Sequence, residues 1–110
     1  MKKGFACLAF VLACTTALAG TGQGTITQIE SGPVYGSKVF LLITGGVPDA
    51  PSCVTQGNYN FVFDTSVPGG KDLLASMLLA KSTKMSVVIS GAGTCTLYGG
   101  VEDLRWLRVL

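Results

Sequence analysis

Outside an N-terminal leader the chain holds two cysteines, Cys53 and Cys95, and their pairing constrains the fold more than any other feature. The leader is read from MKKGFACLAFVLACTTALAG, with Lys2 and Lys3, an apolar run from Phe5 to about Ala19, and small residues at Ala17 and Ala19. A positive start, a short apolar stretch and an A-x-A ending make an export signal, with cleavage expected between Ala19 and Gly20. The run falls short of the ~20 residues that span hydrocarbon, so no membrane span is expected. A second reading takes Val11, Leu12 and Ala13 before Cys14 as a lipobox with a lipidated Cys14, although Leu12 fits that pattern poorly. In both readings Cys53 and Cys95 remain, and an oxidising compartment joins them. Closing a loop of about 40 residues contributes about 4 kcal/mol, a large share of a small domain's stability.

The expected organisation is a signal peptide over 1–19 and one domain over 20–110, in a protein that is periplasmic or secreted. Removal of the leader leaves 91 residues with six basic and six acidic side chains. The cations Lys38, Lys71, Lys81, Lys84, Arg105 and Arg108 are scattered and form no basic stripe, so nucleic acid is not an expected partner. The chain has no histidine. A catalytic thiol would lack its base, and two thiols alone cannot complete a tetrahedral zinc shell. No metal or cofactor is expected.

TGQGTITQIESG reads as a first strand in which Ile26 and Ile29 break strict alternation, the sign of a bulge or sharp coiling. SKVFLLITGG gives a second strand, apolar without interruption from Val39 to Ile43 and ended by Gly45 and Gly46. VPDAPSCVTQG is loop by composition, and NYNFVFDTS alternates as a third strand with Tyr59, Phe61 and Phe63 on one face and Asn60, Val62 and Asp64 on the other. In VPGGKDLLASMLLAKSTK, Leu73, Leu74, Met77 and Leu78 recur at helical spacing as a core stripe. Ser66 is the expected cap, Asp72 lies early, and Lys81 and Lys84 lie late. KMSVVISGAGTC is a fourth strand with Met85, Val87 and Ile89 on one face; Cys95 shares their parity if the strand runs on through Gly91 and Gly93. VEDLRWLRVL is a fifth strand with apolar residues on both parities, as expected where both faces are partly covered.

The order β-β-β-α-β-β matches the five-stranded OB-fold, a mainly β barrel whose ligands lie across the strand two and three face and adjoining loops. The alternative is an α+β antiparallel sheet with one covering helix. The run FDTSVPGGKDLLASMLLAKSTKMSVVISGAGTC, followed by EDLRWLRV, is similar to small exported proteobacterial proteins. With the leader and the disulfide, the chain also resembles the binding subunits of bacterial AB5 toxins of the subtilase-cytotoxin and pertussis-like groups. The resemblance covers about residues 25 to 110 and is carried by helix, strand and cysteine. It implies an OB-type barrel and, in the toxin subunits, a homopentamer with helices around a central pore and glycan sites on the outer barrel. No residue set here matches a sialic-acid pocket.

Asp64 with Asp72, and Glu102 with Asp103, are the carboxylate pairs on which acid–base chemistry could draw; a solvated strand end and a helix-start charge account for them more simply. Ser86 and Ser90 have no base beside them, and SGAGTC has neither the lysine nor the helix of a phosphate loop. Tyr35, Tyr59, Tyr98 and Trp106 are the aromatic groups that could stack on a sugar ring or a partner. Tyr98, beside Gly99 and Gly100, is expected to be the most exposed, while Tyr59 and Trp106 can equally be buried. The expectation is a binding module and not an enzyme, recognising a glycan or a cell-surface receptor. The alternative is a monomeric periplasmic protein with a small-molecule or protein partner in an envelope or inhibitor role, or a lipoprotein anchored at Cys14.

Overall fold

In a computed structural model, residues 18–110 are described. The expected signal peptide lies outside them apart from Leu18 and Ala19, as do Cys7 and Cys14. The strands among them are β1 (Thr21–Glu30), β2 (Lys38–Ile43), β3 (Phe61–Asp64), β4 (Ser86–Gly91) and β5 (Glu102–Val109), with an α-helix, α1 (Gly70–Thr83), between β3 and β4. A short 3-10 turn, Pro33–Tyr35, follows β1. Hydrogen bonding closes the strands into a ring in the order β1-β2-β3-β5-β4. All pairs are antiparallel except β3 with β5, which meet in parallel at Phe61↔Glu102 and Val62↔Asp103. The open sheet with a covering helix is thereby corrected, because β3–β5 and β1–β4 join what would be its free edges.

Bulges account for the irregular patterning. In β1 the register slips between Ile26 and Gln28, which turns both Ile26 and Ile29 toward the inner cluster, as the broken alternation predicts. In β5 the mixed parity has the same cause and is not a sign of two covered faces. Gly91 pairs with Leu104 and Ser90 with Trp106, so Arg105 is the extra residue, and Leu104, Leu107 and Val109 all pack on the inner cluster.

That cluster takes Ile26 from β1, Val39, Leu41 and Ile43 from β2, Phe61 and Phe63 from β3, and Val87 and Ile89 from β4. The helix packs against β1 and β5 and adds Met77 and Ala80, with Leu73 and Leu74 beside them. Leu78, expected in the stripe, is 51% exposed, and Leu79 next to it is 56% exposed. Ser66 does not cap α1. The cap position is Gly69, and the Ser66 hydroxyl and N–H both donate to Asp64, at 2.6 and 2.8 Å. At the far end Lys84 sits in the left-handed region at φ 58°, and its N–H returns to the carbonyls of Ala80 and Lys81.

Cys53 and Cys95 are disulfide-bonded, with their Cα atoms 6.0 Å apart. The route to the bond differs from the expected one. β4 ends at Gly91, so Cys95 lies in the loop between β4 and β5 and not on a continued inner face, and the bridge ties that loop to the one between β2 and β3.

Replacing Cys53 and Cys95 by serine in the chain starting at Gly20 is expected to cost about 4 kcal/mol of unfolding free energy, read by guanidinium titration. In the same assay Lys84→Gly is expected to stabilise by about 1 kcal/mol, since glycine occupies the left-handed cap without a Cβ penalty.

Candidate functional site

β2 is apolar on both faces, and its outer face is where the aromatic residues gather. Phe40 points away from the inner cluster and is completely buried, with Val62 and Val101, beneath Tyr35, Tyr59, Leu97 and Tyr98. The Phe40 ring lies 4.6 Å from that of Tyr35, 4.6 Å from that of Tyr59 and 4.8 Å from that of Tyr98, centroid to centroid, and Tyr35 and Tyr98 meet edge to face at 6.2 Å. Offset and T-shaped geometries are the favoured ones for aromatic pairs.

Three separate segments supply the tyrosines: the 3-10 turn after β1 for Tyr35, the approach to β3 for Tyr59 and the loop before β5 for Tyr98. Tyr59 was expected on the inner face with Phe61 and Phe63. It lies on the outer one because strand pairing begins only at Phe61. Asn60, just before it, bonds with both backbone and side chain, its N–H donating to Leu41 O and its Oδ1 accepting from Ile43 N–H, each at 2.8 Å.

The hydroxyls are ordered by one carboxylate. Tyr35 Oη donates to Glu30 Oε2 at 2.6 Å and lies 3.3 Å from Tyr59 Oη. With the Tyr35 proton committed to Glu30, Tyr59 is the donor between the two phenols. The hydrogen bond from Tyr35, with help from Tyr59, holds the Glu30 carboxyl below its ordinary pKa, and the same bond pushes the Tyr35 phenol up. Beside them a shallow groove of about 370 Å³ is lined by Gln28, Glu30, Leu42, Gly57, Asn58 and Tyr59. The site therefore offers ring faces together with a charged acceptor and two amides.

Of the four aromatic residues singled out in the sequence, Tyr35, Tyr59 and Tyr98 come together and Trp106 does not. Trp106 faces outward from β5 at 39% exposure with the Arg108 guanidinium 5.3 Å over its ring, while Tyr98, expected to be the most exposed, is half-buried. Glu30, Gln28 and Asn58 were not anticipated. Polar residues at strand ends and in loops are too common for their type alone to mark them.

The acid pairs are corrected as well. Glu102 and Asp103 are buried and not solvated. Asp103 Oδ2 accepts from the hydroxyls of Thr94 and Thr96, at 2.7 and 2.6 Å, and the carboxylate takes the N–H groups of Thr96 and Leu97 at 3.0–3.1 Å. Burial would raise its pKa, but these hydrogen bonds from Thr96, Thr94 and Leu97 outweigh it and the net shift is downward. Asp64 is held at about 2 by the hydroxyls of Ser37 and Ser66 and the Ser66 N–H. Among the described residues no cluster of three or more Cys, Asp or Glu side chains could hold a metal ion.

A carboxyl lowered by folding adds stability that is complete above its unfolded pKa and is lost as pH falls through the folded value. Asp103→Asn is accordingly expected to cost about 2–3 kcal/mol at pH 7, the worth of charge-assisted bonds left partly unmade, and to flatten the fall in stability below about pH 4. Guanidinium titrations repeated from pH 3 to 7 read both effects.

No protein-family model, no curated protein and no solved structure matches the chain.

Proposed function

We propose that the ring is an OB-type barrel and that the protein is an exported, non-enzymatic binding module whose outer β2–β3 face recognises a neutral glycan. The strand order, the parallel β3–β5 pairing and the helix between β3 and β4 support the barrel assignment. The observation that carries the function is the joining of Tyr35, Tyr59 and Tyr98 over Phe40 beside a groove furnished with Glu30, Gln28 and Asn58. Aromatic faces accept the apolar side of a sugar ring, while a carboxylate and amides bond to neighbouring hydroxyls.

The Glu30 charge selects among sugars. Its lowered pKa keeps it ionised at neutral pH, so a carboxylate-bearing sugar such as sialic acid is repelled from the groove and a neutral hexose is accepted. The proposed ligand thus departs from the sialylated glycans of the toxin subunits the sequence resembles. Exposed Leu78 and Leu79 on α1 favour self-association through the helix, the arrangement implied by the pentameric toxin subunits.

The test is glycan-array binding and calorimetry on the chain starting at Gly20, with light scattering for its mass. Binding to neutral glycans is expected, with Tyr59→Ala and Glu30→Gln each weakening it by about tenfold, or ~1.4 kcal/mol, while circular dichroism is unchanged. Silence toward neutral glycans from a folded sample would sink the proposal. A five-fold mass supports the assembly, and a single-chain mass favours the monomeric alternative.

A further inference from the structure

Glu102 is completely buried, and its two carboxylate oxygens are unequally served. Oε2 accepts the N–H groups of Gly20 and Gly93, each at 2.9 Å, while Oε1 has no partner among the described residues. The charged groups that act on it are Asp49, from the loop after β2, and Asp103, the next residue of β5, and both are acidic. Burial first, and these two carboxylates after it, raise the Glu102 pKa against the pull of the Gly20 and Gly93 N–H groups. Among the described residues this carboxylate, taken out of water beside like charges, has no cation.

Ahead of Gly20, the Ala19 nitrogen lies 3.4 Å from where a Cβ on Gly93 would stand, and on the C-terminal side hydrogen bonds hold Gly20 in place. Its own carbonyl accepts the Gly91 N–H at 2.9 Å, the Thr21 N–H donates to Asp49 Oδ1 at 3.0 Å, and Thr21 pairs with Ser90 across β1 and β4. Oε1 also faces Gly20, because a Cβ built there would stand 2.6 Å from it. A Cβ at Gly91 would overlap the same carboxylate, so both glycines leave room for Glu102. Two residues upstream of this buried nitrogen, Leu18 is 73% exposed.

We propose that Glu102 is the binding site for the mature N-terminus: cleavage between Ala19 and Gly20 converts the Gly20 amide into an ammonium that forms a buried ion pair with both oxygens of Glu102. Hydrolysis breaks one peptide bond and consumes one water. Its oxygen ends in the new Ala19 carboxylate, and the Gly20 nitrogen leaves as an amine that is protonated at neutral pH. Where one N–H was available there are now three, enough to keep Oε2 and reach Oε1. The inference rests on the cleavage position read from Ala17 and Ala19 and is independent of the glycan reading.

Removal of the leader then does more than release the chain: it supplies the missing counter-charge. In the chain that keeps its leader the described residues give the Glu102 carboxyl no cation, and its raised pKa makes it lose stability as pH climbs through that value. The processed chain gains stability from a raised ammonium pKa, present below the ordinary amine value and lost as pH rises through the folded one.

The experiment compares the processed chain beginning at Gly20, the same chain acetylated on the Gly20 nitrogen, and Glu102→Gln in each form. Nitrogen-15 NMR titration of the Gly20 amine and guanidinium unfolding from pH 5 to 10 are the readouts. The amine is expected to titrate above the usual 7.7–8.0, and the free-amine chain at pH 6 to have an unfolding constant about tenfold or more below that of the acetylated chain. That gap should close at high pH and vanish in Glu102→Gln. If Glu102→Gln does not fold, the titration and the acetylation contrast decide without it. An ordinary amine pKa with equal stability of the free and acetylated chains overturns the inference, as does intact-mass analysis of the exported protein showing a first residue other than Gly20.

Discussion

Two adjacent carboxylates at the start of β5 serve opposite sides of one strand, and much of the ring's closure is organised around them. Glu102 and Asp103 are the β5 residues that pair in parallel with β3, so the strand pairing that completes the ring also commits both acids to burial. Burying a carboxylate is costly unless donors surround it. Glu102 draws Gly20, just before β1, and Gly93, just after β4, toward itself, while Asp103 gathers Thr94, Thr96 and Leu97 into a tight loop. The glycine-rich SGAGTC segment, which lacks the features of a phosphate loop, still serves anions, through the Gly93 N–H to Glu102 and the Thr94 hydroxyl to Asp103. The anions are the chain's own.

The elements themselves were readable because each has a strong local pattern. The five strands and the helix stand where the alternation, the apolar runs and the glycine breaks place them, and so does the bulge in β1. What could not be read depends on the third dimension. The β5 bulge at Arg105 gives the same mixed parity as a strand covered on both faces, and only the pairing with β4 separates the two. Tyr59 leaves the inner face because Asn60 bonds to β2 through both backbone and side chain, a choice no periodicity records. Glu102 and Asp103 look like a solvated pair in a linear text, since no periodicity shows that the loop just before β5 folds back to aim its threonine hydroxyls and N–H groups at them, or that Gly20 from the far end of the domain joins it.

The candidate site was legible in part for a similar reason. Aromatic side chains are scarce enough in this chain that naming Tyr35, Tyr59 and Tyr98 was straightforward. Their convergence follows from the uninterrupted apolar run of β2, which places Phe40 on the outside and requires a cover for it. Trp106 shares their chemistry but not their address. The polar partners Glu30, Gln28 and Asn58 acquire meaning only once the groove beside Tyr59 exists.

The disulfide has a consequence for the proposed recognition face as well as for stability. It links the loop leading to Tyr59 with the loop leading to Tyr98, so two of the three tyrosines over Phe40 ride on segments that are covalently tethered to each other. A surface assembled from loops ordinarily pays a conformational-entropy cost when a ligand orders it. In the proposed binding module, closure of this bridge settles part of that cost before a ligand arrives, so the redox state of the cysteine pair sets how well preorganised the aromatic face is.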